Sequence, residues 1–141
     1  MYDDLIKSIL LETFLAAVLA RNIVMLIKAL RLRRDVRQKN TEVTAARITR
    51  IWPSAGRSRM ARAVYTAGGK KVKGTSVCAV GMGIFRRGDD RKVIVGKTDS
   101  SVFADDEQQT KDAVLTWWVF SALAGMAVLT LAAAIVYDVM R

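Results

Sequence analysis

Apolar positions gather at the two ends of the chain, and the middle alternates between apolar and polar. From Ala113 to Tyr137 the chain runs 25 residues without a formal charge. As a helix rising ~1.5 Å per residue that stretch covers roughly 37 Å, more than the ~30 Å hydrocarbon thickness of a bilayer. Trp117 and Trp118 stand near its start and Tyr137 at its end, positions where amphipathic rings favour the headgroup level. Residues 113–137 are therefore predicted to form a transmembrane helix.

The other apolar end, residues 5–32, carries Lys7, Glu12, Arg21 and Lys28, and its longest uncharged run is only Thr13–Ala20. On a helical wheel Asp3, Lys7, Arg21 and Lys28 cluster on one side. The opposite side reads Leu5, Ile9, Glu12, Ala16, Leu19, Ile23, Leu26 and Leu30, alternating steps of four and three that make a heptad-like seam. Either the segment spans the bilayer with this seam against another helix, or it lies in the interface plane with its cations in water. On insertion scales a central charge costs ~2.5–3.5 kcal/mol and a large apolar residue returns ~0.3–0.6 kcal/mol, so the sums nearly cancel. Leu10, Leu11, Phe14, Leu15, Ala17 and Val18 carry apolar surface around the whole helix, which favours spanning. Glu12 and the Tyr-Asp-Asp start argue against a secretory signal peptide ending near Ala20.

Between these ends, residues 41–103 read as short strands. Val43–Trp52 is spaced like a strand and ends at Pro53; a loop over Ser54–Ser58 follows. Met60–Thr66 is a second strand, and Gly68-Gly69 is a hairpin signal because both central residues of a type I′ turn need positive φ. Lys71–Val80 is the return strand, Gly81-Met82-Gly83 and Arg86–Asp90 are turns, and Val93-Ile94-Val95 is a further strand. The expected class is α+β: membrane helices at both ends flanking a small antiparallel β-barrel-like or curled-sheet domain. Residues 33–40 read as a basic linker and 104–112 as an acidic one.

Charge follows the same division. The net charge is +10 and mean hydropathy is still positive at +0.19. Of the 23 Lys and Arg, 19 lie between Arg31 and Lys111, so the middle is strongly basic. The cluster Arg31, Arg33, Arg34, Arg37 and Lys39 adjoins the first apolar segment, which places the middle domain on the cytoplasmic side by the positive-inside rule. Both termini then lie outside if two helices span.

Candidate chemistry is sparse. There is no histidine and one cysteine, Cys78, so Ser–His and Cys–His catalysis and the usual zinc sets are excluded, and Cys78 reads as core filler. Gly81, Gly83, Arg86 and Gly88 lack the spacing of a phosphate loop. Asp89, Asp90, Asp99, Asp105 and Asp106 lack calcium-loop spacing and read as solvated turn residues. No cofactor, metal or catalytic residue is expected.

Val64-Tyr65, then Gly69-Lys70-Lys71-Val72, then Gly88-Asp89 leading into Val93-Ile94-Val95, resemble a family of bacterial two-helix membrane proteins of unknown function with a small β-domain between the helices. The resemblance covers residues 41–103 and implies a barrel-like fold with no catalytic residues. Where that family continues with a tyrosine and paired prolines, Gly96-Lys97-Thr98-Asp99 stands here.

The functional expectation is a non-enzymatic adaptor or accessory subunit of a larger membrane complex. Glu12 and Arg21 fall on opposite sides of the first helix and cannot neutralise one another, and buried charges call for partners. Those partners would come from another membrane subunit or a second copy. Ser121 and Gly125 offer a close-packing face on the second helix. Arg31, Arg33, Arg34, Arg37, Arg57, Arg59, Arg86 and Arg87 are the candidate contacts to anionic lipid or another polyanion. Trp52, Tyr65, Phe85 and Phe103 form no interleaved stacking platform, which argues against nucleic acid. A tethered nucleic-acid binder and a small immunity or regulatory membrane protein are the alternatives.

Overall fold

The computed structural model describes residues 2–53, 58–81 and 86–141. It is α+β, with helix α1 (Tyr2–Arg37), strands β1 (Thr41–Pro53), β2 (Ser58–Ala67), β3 (Lys70–Ser76), β4 (Val80–Gly81), β5 (Asp90–Gly96) and β6 (Val102–Ala104), and helix α2 (Glu107–Met140). The chain divides into two units, Met1–Leu26 with Trp117–Arg141, and Ile27–Thr116.

Both helices run past the lengths their apolar runs predict. Residues 33–37, read as linker, continue α1 for one more turn, and residues 107–112 are already α2. The cause is capping. At the α1 end Lys39 takes φ 54°, and Gln38, Lys39 and Asn40 donate their N–H groups back to the carbonyls of Arg34, Val36 and Asp35, closing the last turn. At the α2 start the Asp106 carboxylate accepts the Gln109 N–H at 2.8 Å, and the Gln109 side chain accepts the Asp105 N–H in return. This reciprocal pairing satisfies donors that the first turn would otherwise leave free.

In the sheet unit, alternation decides which residues go inside. Ala46 and Ile48 on β1, Ala61, Ala63 and Tyr65 on β2, Val93 and Val95 on β5, and Phe103 on β6 make one core cluster. Three alanines leave the volume that Tyr65 and Phe103 fill, their rings edge to face with centroids 5.7 Å apart, a favoured aromatic geometry. Tyr65 also crosses over Gly74, where a Cβ would collide with the phenol ring, and its hydroxyl donates to the Ser100 carbonyl. The Gly68-Gly69 turn has φ of 58° and 79°, as the hairpin signal requires.

Pairing is mixed. β1 pairs with β5 and β2, β2 with β3 and β4, and β5 with β6, all antiparallel, but β3 and β6 run parallel. The expected all-antiparallel sheet is corrected here. The return strand is also shorter than expected: β3 stops at Ser76, and Val80-Gly81 turns back to pair with Ser58 and Arg59 of β2. β1 serves two neighbours because it bends at a bulge between Ile48 and Arg50, an extra residue that re-aims a strand. The pairings therefore lead from β1 through β2, β3, β6 and β5 back to β1.

α1 is tied to the sheet by a buried carboxylate. Asp35, 1% exposed, accepts the Thr98 hydroxyl at 2.8 Å and the Thr98 N–H at 3.2 Å. Gly96 lies so close that a Cβ there would strike the Asp35 side chain. Gln109 does the same for α2, donating to the Cys78 carbonyl at 3.3 Å.

Candidate functional site: a helix pair and a basic sheet unit

Within the helical unit α1 and α2 lie side by side. Asn22 donates to the Phe120 carbonyl at 3.4 Å, a long bond, and Leu19 Cδ1 is 4.0 Å from where a Gly125 side chain would begin. Leu5 and Ser8 share a cleft with Ile135, Asp138 and Val139. Lower numbers on one helix meet higher numbers on the other, so the pair is antiparallel.

The face that α1 covers is rotated from the seam read in the sequence. Leu5, Glu12, Leu19 and Leu26 are half-buried, but their alternates Ile9, Ala16, Ile23 and Leu30 are exposed. Ser8, Leu15, Asn22 and Ala29 take the covered places instead. The seven-residue repeat is kept and only the alternate positions move by one residue, with the Asn22 bond anchoring the polar alternative. Polarity within the pair is incompletely matched. Among the described residues, Glu12 Oε2 and Ser121 Oγ are buried without a hydrogen-bond partner. Arg21 is exposed on the outside of the pair, and no ion pair to it occurs among the described residues.

Outside the covered face both helices present large apolar side chains, including Ile6, Leu10, Phe14 and Val24 on α1 and Trp118, Leu123, Met126 and Leu129 on α2. Thr13 and Thr130 are exposed too, yet each turns its hydroxyl onto the carbonyl four residues back, at 2.9 and 2.8 Å. Both helices are long and apolar enough to cross a membrane; their most apolar windows are 11% and 0% buried.

The sheet unit carries the cations, in several separate places. Arg31 reaches Asp99 at 3.9 Å. Arg59 is half-buried on β2, and Arg86 and Arg87 are exposed in the turn before β5; Arg57 lies outside the described residues. Arg33, Arg34 and Arg37 line a cleft with Lys111, Leu30 and Val114. The outer face of the sheet adds Arg47, Arg50, Arg62, Lys71 and Lys73, all exposed. Arg50 stands directly opposite Arg62, and Arg47 and Lys73 flank Val64. Like charges opposite one another destabilise a sheet by ~0.2–1 kcal/mol. The sequence reading overlooked Arg47 and Arg50; period-2 spacing points out Arg47, but the bulge that turns Arg50 outward leaves no local signal.

Three aspartates read as solvated turn residues have specific work. Asp105 takes Arg91 in a two-pronged bond, Nε to Oδ1 at 3.2 Å and Nη2 to Oδ2 at 3.1 Å. Asp106 caps α2. Asp99 accepts both the hydroxyl and the N–H of Ser101, at 2.6 and 3.0 Å. Burial pushes the Asp99 carboxyl upward, but the Ser101 bonds and the nearby Lys28 and Arg31 outweigh it, so it ionises below its ordinary range. Cys78 is 4% exposed with its Sγ 3.7 Å from the Gln109 carbonyl. Burial pushes its thiol up to about 11, so it is a poor nucleophile at neutral pH. No cluster of acidic or thiol groups suited to a metal occurs among the described residues.

Comparison with known protein families, curated proteins and solved structures yields no match to this chain.

Proposed function

We propose that the chain is an integral membrane accessory subunit without catalytic activity, holding a basic β-domain at the cytoplasmic face of the bilayer. The observation that carries the reading is the helical unit: two helices whose most apolar windows leave 11% and 0% of their residues buried. In water such continuous apolar surface is a liability; in lipid it is the required surface, and Thr13 and Thr130 satisfying their own hydroxyls fits the same solvent. Antiparallel pairing along the two helices supports α1 spanning rather than lying in the interface plane. The cluster from Arg31 to Lys39 supports the cytoplasmic assignment. The cyclic strand pairings support a small five-stranded barrel, with a connectivity like that of OB-type Greek-key barrels; that likeness brings no activity with it.

The accessory role rests on Arg21 and on the exposed Ile9, Ala16 and Ile23. An arginine on the lipid-facing side of a span is costly unless it snorkels or meets an acidic group on a neighbouring helix. A second copy or a different subunit would bring that group. A photo-crosslinker at Ile23 in native membranes should give a discrete adduct, which Arg21→Leu weakens and Arg21→Lys retains. An adduct pattern unchanged by Arg21→Leu would remove the charge from the account. Cations opposite one another on the outer sheet face, Arg50 and Arg62, favour an anionic surface as a further contact of the β-domain.

A further inference from the structure

We infer that the cleft between the end of α1 and the start of α2 is a binding site for the phosphate-bearing headgroup of an anionic phospholipid. The inference rests on the membrane reading above and adds a discrete site to it. The cleft, of about 550 Å³, is lined by Leu30, Arg33, Arg34 and Arg37 of α1 and by Lys111 and Val114 of α2. That volume is in the range of small-molecule sites. On α1 the four residues have i, i+3, i+4 and i+7 spacing, so they form one stripe; on α2 Lys111 and Val114 are i and i+3.

Charge is what singles the cleft out. Four cations converge, and among the described residues none has a carboxylate partner: the two ion pairs use Arg31 with Asp99 and Arg91 with Asp105. The nearest acid in sequence, Asp35, is buried and committed to Thr98, and Asp112 accepts from Gln108 at 3.1 Å. Attraction to the carbonyl end of α1 accounts for Arg34 and Arg37 in its last turn. It does not account for Lys111, which approaches from the other helix. An anion between them relieves the repulsion, and guanidinium groups match phosphate in a planar fork.

The order of residues selects a lipid. Along α1 the apolar stretch comes first, then Leu30, then the arginines over the next ~10 Å. Along α2 Lys111 comes first, then Val114, then the uncharged run to Tyr137. On both helices the apolar lining residue lies toward the apolar stretch and the cations lie beyond it, the sequence of acyl chain and headgroup in a phospholipid.

The test uses the full chain in gentle detergent, with native mass spectrometry counting bound lipid after addition of phosphatidylglycerol or phosphatidylcholine. The parent should retain phosphatidylglycerol at least tenfold more strongly. Arg33→Gln/Arg37→Gln/Lys111→Gln should abolish that preference, whereas Arg47→Gln/Arg86→Gln/Arg87→Gln, an equal loss of charge outside the cleft, should keep it. Protection of Cys78 from thiol reagents verifies that each variant is folded. Equal loss in both triple variants would overturn a discrete site in favour of diffuse attraction. Displacement of the lipid by millimolar inorganic phosphate would overturn the lipid as occupant. A parent that retains neither lipid, or both equally, would defeat the headgroup site and leave the membrane reading standing.

Discussion

The two units of this chain answer to opposite rules. The sheet unit closes over Tyr65, Phe103, Val93 and Val95 and turns its cations outward, as a domain in water must. The helical unit buries little and shows Phe14, Leu123, Met126 and Leu129 to its surroundings. The proposal that the two units meet different solvents rests on this contrast. Polar groups show the same contrast. In the sheet unit the buried Asp35, Ser76, Gln109 and Thr110 all have partners. In the helical unit Glu12 Oε2 and Ser121 Oγ have none among the described residues.

If the units are that different, damage to one core should leave the other standing. Tyr65→Ala removes a ring from the centre of the sheet core and should cost the sheet unit ~3–5 kcal/mol, as large aromatic deletions do. Thiol labelling of Cys78 reports its opening, while far-UV circular dichroism in detergent should keep most of its helical signal. Simultaneous loss of both signals would make the division into units wrong. Asp35→Ala should cost about 3 kcal/mol, since it removes a charged acceptor of two hydrogen bonds and strands Thr98; Asp35→Asn should fall between. A denaturant midpoint for Asp35→Ala within error of the parent would show the clamp to be ornamental.

A pH titration separates the units further. Burial holds the Cys78 thiol at about 11 against 9.0 for a free one, so folding favours the neutral form. That contribution is complete below pH 9 and drains away as pH rises through about 11, amounting to at most about 3 kcal/mol. Tyr65, whose phenol burial also pushes upward, acts in the same direction. Asp99 acts oppositely: held below its ordinary range, it stabilises above the unfolded carboxylate range and loses that effect as pH falls through its folded value. The sheet unit should thus weaken at both extremes, and a Cys78→Ala variant should lose part of the alkaline limb. An unchanged alkaline limb would place the titration elsewhere. The smallest effect is Lys39→Gly, which should stabilise by roughly 0.5–1 kcal/mol and so raise the thermal midpoint slightly, because φ of 54° suits glycine better than lysine.

What the sequence disclosed follows from range. The uncharged run to Tyr137, the Gly68-Gly69 hairpin and the inward alternation of Val93 and Val95 are local patterns, and local patterns are readable. β6 was overlooked because Val102–Ala104 is three residues long, and its parallel partner β3 is set by long-range closure. The rotation of the α1 seam hinged on Asn22 finding Phe120, ninety-eight positions away. Asp99 and Asp105 looked like turn residues because their partners, Arg31 and Arg91, come together only in the fold; the Asp106 cap, which reaches only three residues on to Gln109, is a local signal that was passed over. The resemblance positions Tyr65, Gly69 and Gly88 acquire packing and turn reasons, with φ of 79° and 85° at the two glycines.

The central claim is that the helical unit sits in lipid and the sheet unit in water on the cytoplasmic side. Leu123 on α2 and Thr66 on β2 test it together, because both side chains are exposed in the protein itself. In a Cys78→Ala background, Leu123→Cys and Thr66→Cys should be treated with a membrane-impermeant maleimide in inside-out vesicles and in intact cells. The account predicts rapid labelling of the Thr66 site in inside-out vesicles only, and none of the Leu123 site in either until the membrane is dissolved. Labelling of the Leu123 site as fast as that of Thr66 in intact vesicles would contradict it.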